Sequence, residues 1–90
     1  MPHNTHYSIV DSVRDVTCRA LDNVLNQRLR RKKVASTLEE IHRLLEALPL
    51  SSVEFALAVN RLANARRYHR SGEYGAAKYE LRLLRTSLER

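Results

Sequence analysis

Tyr74, Ala77, Leu81, Leu84 and Leu88 follow one another at steps of three, four, three and four. Only a helix gathers that spacing onto one face, since a strand alternates by two. The same period runs through the rest of the chain. Ile9, Val13, Val16, Ala20 and Val24 form one line, and Leu21, Leu25 and Leu29 run beside it. Leu38, Ile41, Leu45 and Leu48 form a second stripe, and Phe55, Ala56, Val59, Leu62 and Ala63 a third, with Tyr68 near its end. Two Gly and two Pro in 90 residues are too few for a turn-rich β chain. A 43% hydrophobic and 29% charged composition is that of a globular domain.

The punctuation between stripes sets the boundaries. Ser36 with Glu39 reads as a capping box opening the second helix, and Pro49 closes it. Ser51 or Ser52 caps the third, with Glu54 in its first turn. Gly72 stands where a left-handed glycine ends a helix. The sequence therefore predicts an all-α fold, a single small domain of about four antiparallel helices over approximately 8–33, 37–48, 52–70 and 73–88. Residues 1–7 are expected as a flexible N-terminal segment preceding a helical domain over 8–90. The first helix, rich in valine, must be held by packing rather than propensity.

Residues 62–84 are similar to a single tetratricopeptide-type helical hairpin. Ala65 and Ala77 stand where that family uses small residues for close helix approach. Tyr68 and Tyr74 match its aromatic positions, and Gly72 matches its turn. Asn64 stands at a position usually apolar, and Leu81 and Leu84 replace an aromatic and an alanine. No second repeat exists in the chain, whereas about three make a stable solenoid. The resemblance implies one hairpin of that design and, with it, a protein-binding adaptor.

Charge is the strongest functional signal. The chain carries a net +6. Arg28, Arg30, Arg31, Lys32 and Lys33 crowd into one short run, read here as closing the first helix, where cations suit the dipole. Arg66, Arg67 and Arg70 on the third helix, with Lys78, Arg82 and Arg85 on the fourth, form a second basic region able to follow phosphates or an anionic partner. No aromatics interleave the run as in a single-strand binder. A helix-turn-helix is disfavoured too, because the third helix opens on Ser52, Val53, Glu54 and Phe55, an apolar and acidic turn.

Catalytic signatures are absent: no Gly-rich phosphate loop, no HExxH and no nucleophile elbow. Gly72-Glu73-Tyr74-Gly75 lacks the lysine that a phosphate loop needs. His3 and His6 read as part of a frayed N-terminal segment, His42 beside Glu39 and Glu46 as part of a solvated helix face, and His69 among arginines as a surface histidine. Cys18 reads as a small, partly buried filler. As the only cysteine it forms no intramolecular disulfide. No segment reaches the ~18 apolar residues of a membrane span. A cytoplasmic location is expected.

A first helix of about 26 residues spans roughly 39 Å, longer than its neighbours. Leu25, Leu29 and Val34 are expected on its uncovered stretch, and Tyr79 and Leu83 outside the seam of the fourth helix. The expected function is a non-enzymatic protein–protein interaction module, regulatory or adaptor in kind, with another protein or a second copy as partner. The alternative is a nucleic-acid-binding protein using the 28–33 run and the fourth-helix basic stripe for phosphate contacts. Neither reading calls for a cofactor, a metal or a small-molecule substrate.

Overall fold

The computed structural model describes residues 9–26 and 31–89. Four helices follow in order: α1 (Ile9–Asn26), α2 (Arg31–Glu46), α3 (Ser52–Arg70) and α4 (Tyr74–Leu88). No strand occurs among the described residues. The N-terminal segment 1–7 lies outside them. Each helix packs on two neighbours: α1 on α2 and α4, and α3 on α2 and α4. The pairs α1–α3 and α2–α4 do not come together. The chain is therefore an all-α bundle of four helices around one core.

That core takes residues from every helix. Leu21 and Val24 come from α1, Val34, Leu38, Ile41 and Leu45 from α2. Ala58, Leu62 and Ala65 come from α3, and Ala77, Leu81, Leu84 and Leu88 from α4. The fourth-helix seam is thus buried as its spacing predicts, except that Tyr74 is exposed. Burying each Leu contributes about 1.5–3 kcal/mol.

The boundary between α1 and α2 differs from expectation. The first helix is described as far as Asn26, and the second from Arg31, ahead of the expected start near residue 37. Val34 explains the shift. It lies four residues before Leu38 on the buried stripe of α2 and is itself buried, so the helix extends back to include it. Ser36 and Thr37 are inside α2, both hydroxyls donating to the Lys33 carbonyl, at 3.0 and 2.8 Å. Ser36 is no N-cap.

Two stripes are also rotated. On α1 the inner line runs through Thr17, Leu21 and Val24, while Ile9 and Val16 are exposed. Thr17 is fully buried, yet its hydroxyl donates to the Val13 carbonyl at 2.7 Å, so no polar group is orphaned. On α3 the inner line is Ala58, Leu62 and Ala65, with Phe55 partly buried against the core; Ala56 and Ala63 are exposed.

The α3–α4 hairpin is defined by its ends. The Ser51 side chain accepts from the Glu54 N–H at 3.1 Å, and the Ser51 N–H donates to the Glu54 carboxylate at 2.8 Å, a complete capping box. At the other end Gly72 adopts φ +79, which L side chains rarely reach. Its N–H donates to the His69 carbonyl and that of Glu73 to the Tyr68 carbonyl, the paired bonds of a Schellman turn.

Candidate functional site

A cleft of about 330 Å³ opens between the N-terminal half of α3 and the C-terminal half of α4. Leu50, Leu57, Ala58, Leu83 and Leu88 form its apolar walls, and Glu54, Arg61, Thr86 and Ser87 complete them. The capping box sets where α3 begins, and the Gly72 turn brings α4 back alongside it. Val53, Leu57 and Tyr79 are exposed at 67%, 57% and 59% respectively, so large apolar groups meet water along this side. Val53 and Leu57 are one turn apart on α3, and Tyr79 and Leu83 one turn apart on α4. The Arg61 guanidinium reaches Glu80 at 3.4 Å, bridging the two helices.

The expected apolar surface thus divides. Tyr79 is exposed and Leu83 lines the cleft. Leu25 is partly buried against the core, and Leu29 lies outside the described residues. Val34, expected on an uncovered stretch, is only 5% exposed, because it belongs to the α2 stripe and not to an extension of α1. Val53 and Leu57 were not among the expected surface residues. Their signal was present all the same: they stand off the inner stripe of α3, one turn apart, immediately after a capping serine.

The basic residues also separate. Arg28 and Arg30 lie outside the described residues. Arg31 and Lys32 open α2, and Lys33 beside them is exposed. Arg31, Lys32 and Lys33 thus fall within α2 as described, whose first turn there holds no acid.

Arg66 pairs with Glu39 at 2.9 Å, joining α3 to α2. Arg85 grips both oxygens of Asp22, at 2.6 and 3.1 Å, and also reaches Glu89. The Asp22 hydrogen bond raises the hold of that guanidinium on its proton. Arg85 thus joins α4 to α1, and the expected α4 stripe reduces at the surface to Lys78 and Arg82, both exposed. Arg67 lies over the Tyr68 ring at 5.3 Å, and Arg70 is exposed.

Cys18 is partly buried on α1, and burial raises its thiol pKa above the ordinary value, with Arg85 opposing. Such a thiol is a poor nucleophile. His42 sits 6.2 Å from the Phe55 ring, and His69 meets Tyr74 edge-on at 5.1 Å. His3 and His6 lie outside the described residues. Among the described residues, no three His, Cys, Asp or Glu side chains are grouped to hold a metal ion. No helix among them is long and apolar enough to cross a membrane.

Comparison with protein-family models, with curated proteins and with solved structures found no match.

Proposed function

We propose that the chain is a non-enzymatic helical interaction module, regulatory or adaptor in kind, which binds a protein through the α3–α4 face. One observation carries this: Leu57 is exposed on the wall of a cleft, with Val53 one turn from it on α3 and Tyr79 one turn from the cleft residue Leu83 on α4. Exposed apolar groups gathered beside a cleft mark interaction sites more than singly scattered ones do. The hairpin resemblance of residues 62–84 points the same way. A cytoplasmic location accords with the lone cysteine.

A photo-crosslinking side chain in place of Tyr79 tests this. Crosslinked products, to a second copy or to another protein, are expected, and Leu57→Asp should abolish them. Absence of products at Tyr79, with efficient crosslinking from Val16 instead, would overturn the assignment of this face.

A second reading is favoured by the density of positive charge at 28–33, where Lys33 is exposed, and by Lys78 and Arg82, exposed one turn apart on α4. Cations so grouped fit an anionic ligand such as a nucleic-acid backbone. Binding to a generic duplex should then weaken steeply between about 50 and 200 mM salt. Salt-insensitive binding, or none at 50 mM, would remove this alternative.

A further inference from the structure

We infer that the partner on the α3–α4 face is an acidic amphipathic segment of another protein, which sets a large apolar side chain in the cleft and carboxylates over Arg82 and Lys78. This rests on the interaction-module reading above and names the chemistry of its partner.

Tyr79 joins the two halves of this surface. Leu83, on the cleft wall, follows it by four residues and Arg82 by three, so both are its neighbours on α4. Lys78 lies one turn before Arg82 on the same side. Passing round α4, an apolar wall thus gives way to the exposed Tyr79 and then to two exposed cations.

Those cations are in surplus. Arg61, Arg66 and Arg85 are engaged within the chain by Glu80, Glu39 and Asp22. Lys78 and Arg82 make no ion pair among the described residues. The acids of the hairpin are committed elsewhere: Glu54 to the Ser51 capping box, Glu80 to Arg61 and Glu89 to Arg85. Glu73 precedes Arg82 by about two and a half helical turns, which sets it on the other side of α4.

The pairing of an apolar cleft wall with unanswered cations selects the occupant. A nucleic-acid backbone would meet Lys78 and Arg82 and leave Leu57 and Leu83 in water. A second copy, of net +6, would bring positive charge to positive charge. An acidic amphipathic segment uses the whole surface, in the manner of a helix laid in a groove. Apolar burial in the cleft then supplies affinity, and the carboxylates at the rim supply orientation and choice of partner.

The test is fluorescence anisotropy on the full-length chain with three labelled helical peptides. All share one stripe of Leu and Phe, and their polar positions carry Glu, Gln or Lys. The Glu peptide should bind about threefold to tenfold more tightly than the Gln peptide at about 50 mM sodium chloride, and that margin should close by about 500 mM. The Lys peptide should bind least. Lys78→Glu combined with Arg82→Glu should reverse the order, so that the Lys peptide binds best. Both positions are exposed and unpaired, so the fold is kept, which circular dichroism checks. Leu57→Ser should weaken all three peptides and leave binding of a generic duplex unchanged. Equal binding of the Glu and Lys peptides overturns the inference. So does an order that the double substitution leaves intact, or a duplex that binds through Lys78 and Arg82 while no peptide binds. If the acidic partner alone fails, the Gln or Lys peptide still binds and Leu57→Ser still weakens it. If the interaction-module reading fails, none of the three binds and Tyr79 yields no crosslink.

Discussion

The α3–α4 hairpin and the α1–α2 pair are built by different means. The hairpin carries its own instructions: a capping box at Ser51 and Glu54, a left-handed Gly72, and an Arg61–Glu80 bridge between its helices. The α1–α2 pair has little of this. Its first helix is rich in valine, its second opens on three cations, and α1 is tied to the bundle by Leu21 packing and by Arg85 from α4. A hairpin specified locally can leave its outer side free for another use. A helix held by tertiary contacts has no such freedom.

The largest test of this contrast is Leu21→Ala. Leu21 is fully buried, and its truncation should cost about 2–5 kcal/mol in denaturant melts. Amide hydrogen exchange should show α1 losing protection while α3 and α4 keep most of theirs. Uniform loss across all four helices would break the distinction.

Next comes Gly72→Ala. A Cβ there meets nothing within 4 Å, so the whole cost is backbone strain at φ +79, about 1–2 kcal/mol by thermal melting. A neutral substitution would mean that the turn tolerates another conformation.

Ser51→Ala removes the capping box and should cost about 1 kcal/mol, with fraying confined to the first turn of α3 in exchange experiments.

The same contrast explains what was legible in the sequence. The bounds of α3 and α4 were readable within a residue, because serine caps and Gly72 act through neighbouring backbone. The start of α2 was not. Ser36 and Glu39 imitate a capping box, and only the burial of Val34 carries the helix past them. Likewise the spacing of Lys78, Arg82 and Arg85 was visible, but the engagement of Arg85 by Asp22, 63 positions away, was not. Tyr79 and Leu83 stood out as lying off a seam. Leu57 was missed because a stripe at helical spacing does not say which of two apolar sides faces the core.

Smaller effects sharpen the picture. Lys33 is exposed on α2, so Lys33→Glu should leave stability within about 0.5 kcal/mol of the parent in denaturant melts. If the run serves an anionic ligand, the same substitution weakens duplex binding. Destabilisation would show that Lys33 has a structural role.

The smallest effect concerns Cys18. Burial raises its pKa above 9.0, so the folded chain holds the thiol proton more tightly than the unfolded one. Stability from this group is full below pH 9.0 and falls as pH rises above it. Melts of the parent and Cys18→Ala should therefore diverge between about pH 8 and 10, the parent declining more steeply. Parallel curves would mean that the thiol is solvated.

The central claim is that the α3–α4 face, and not the α1–α2 side, meets the partner. Photo-crosslinking side chains placed in turn at Tyr79 and at Val16 test it most directly. Crosslinked products should form from Tyr79 and not from Val16. Products from Val16 alone, or from neither position, would contradict it.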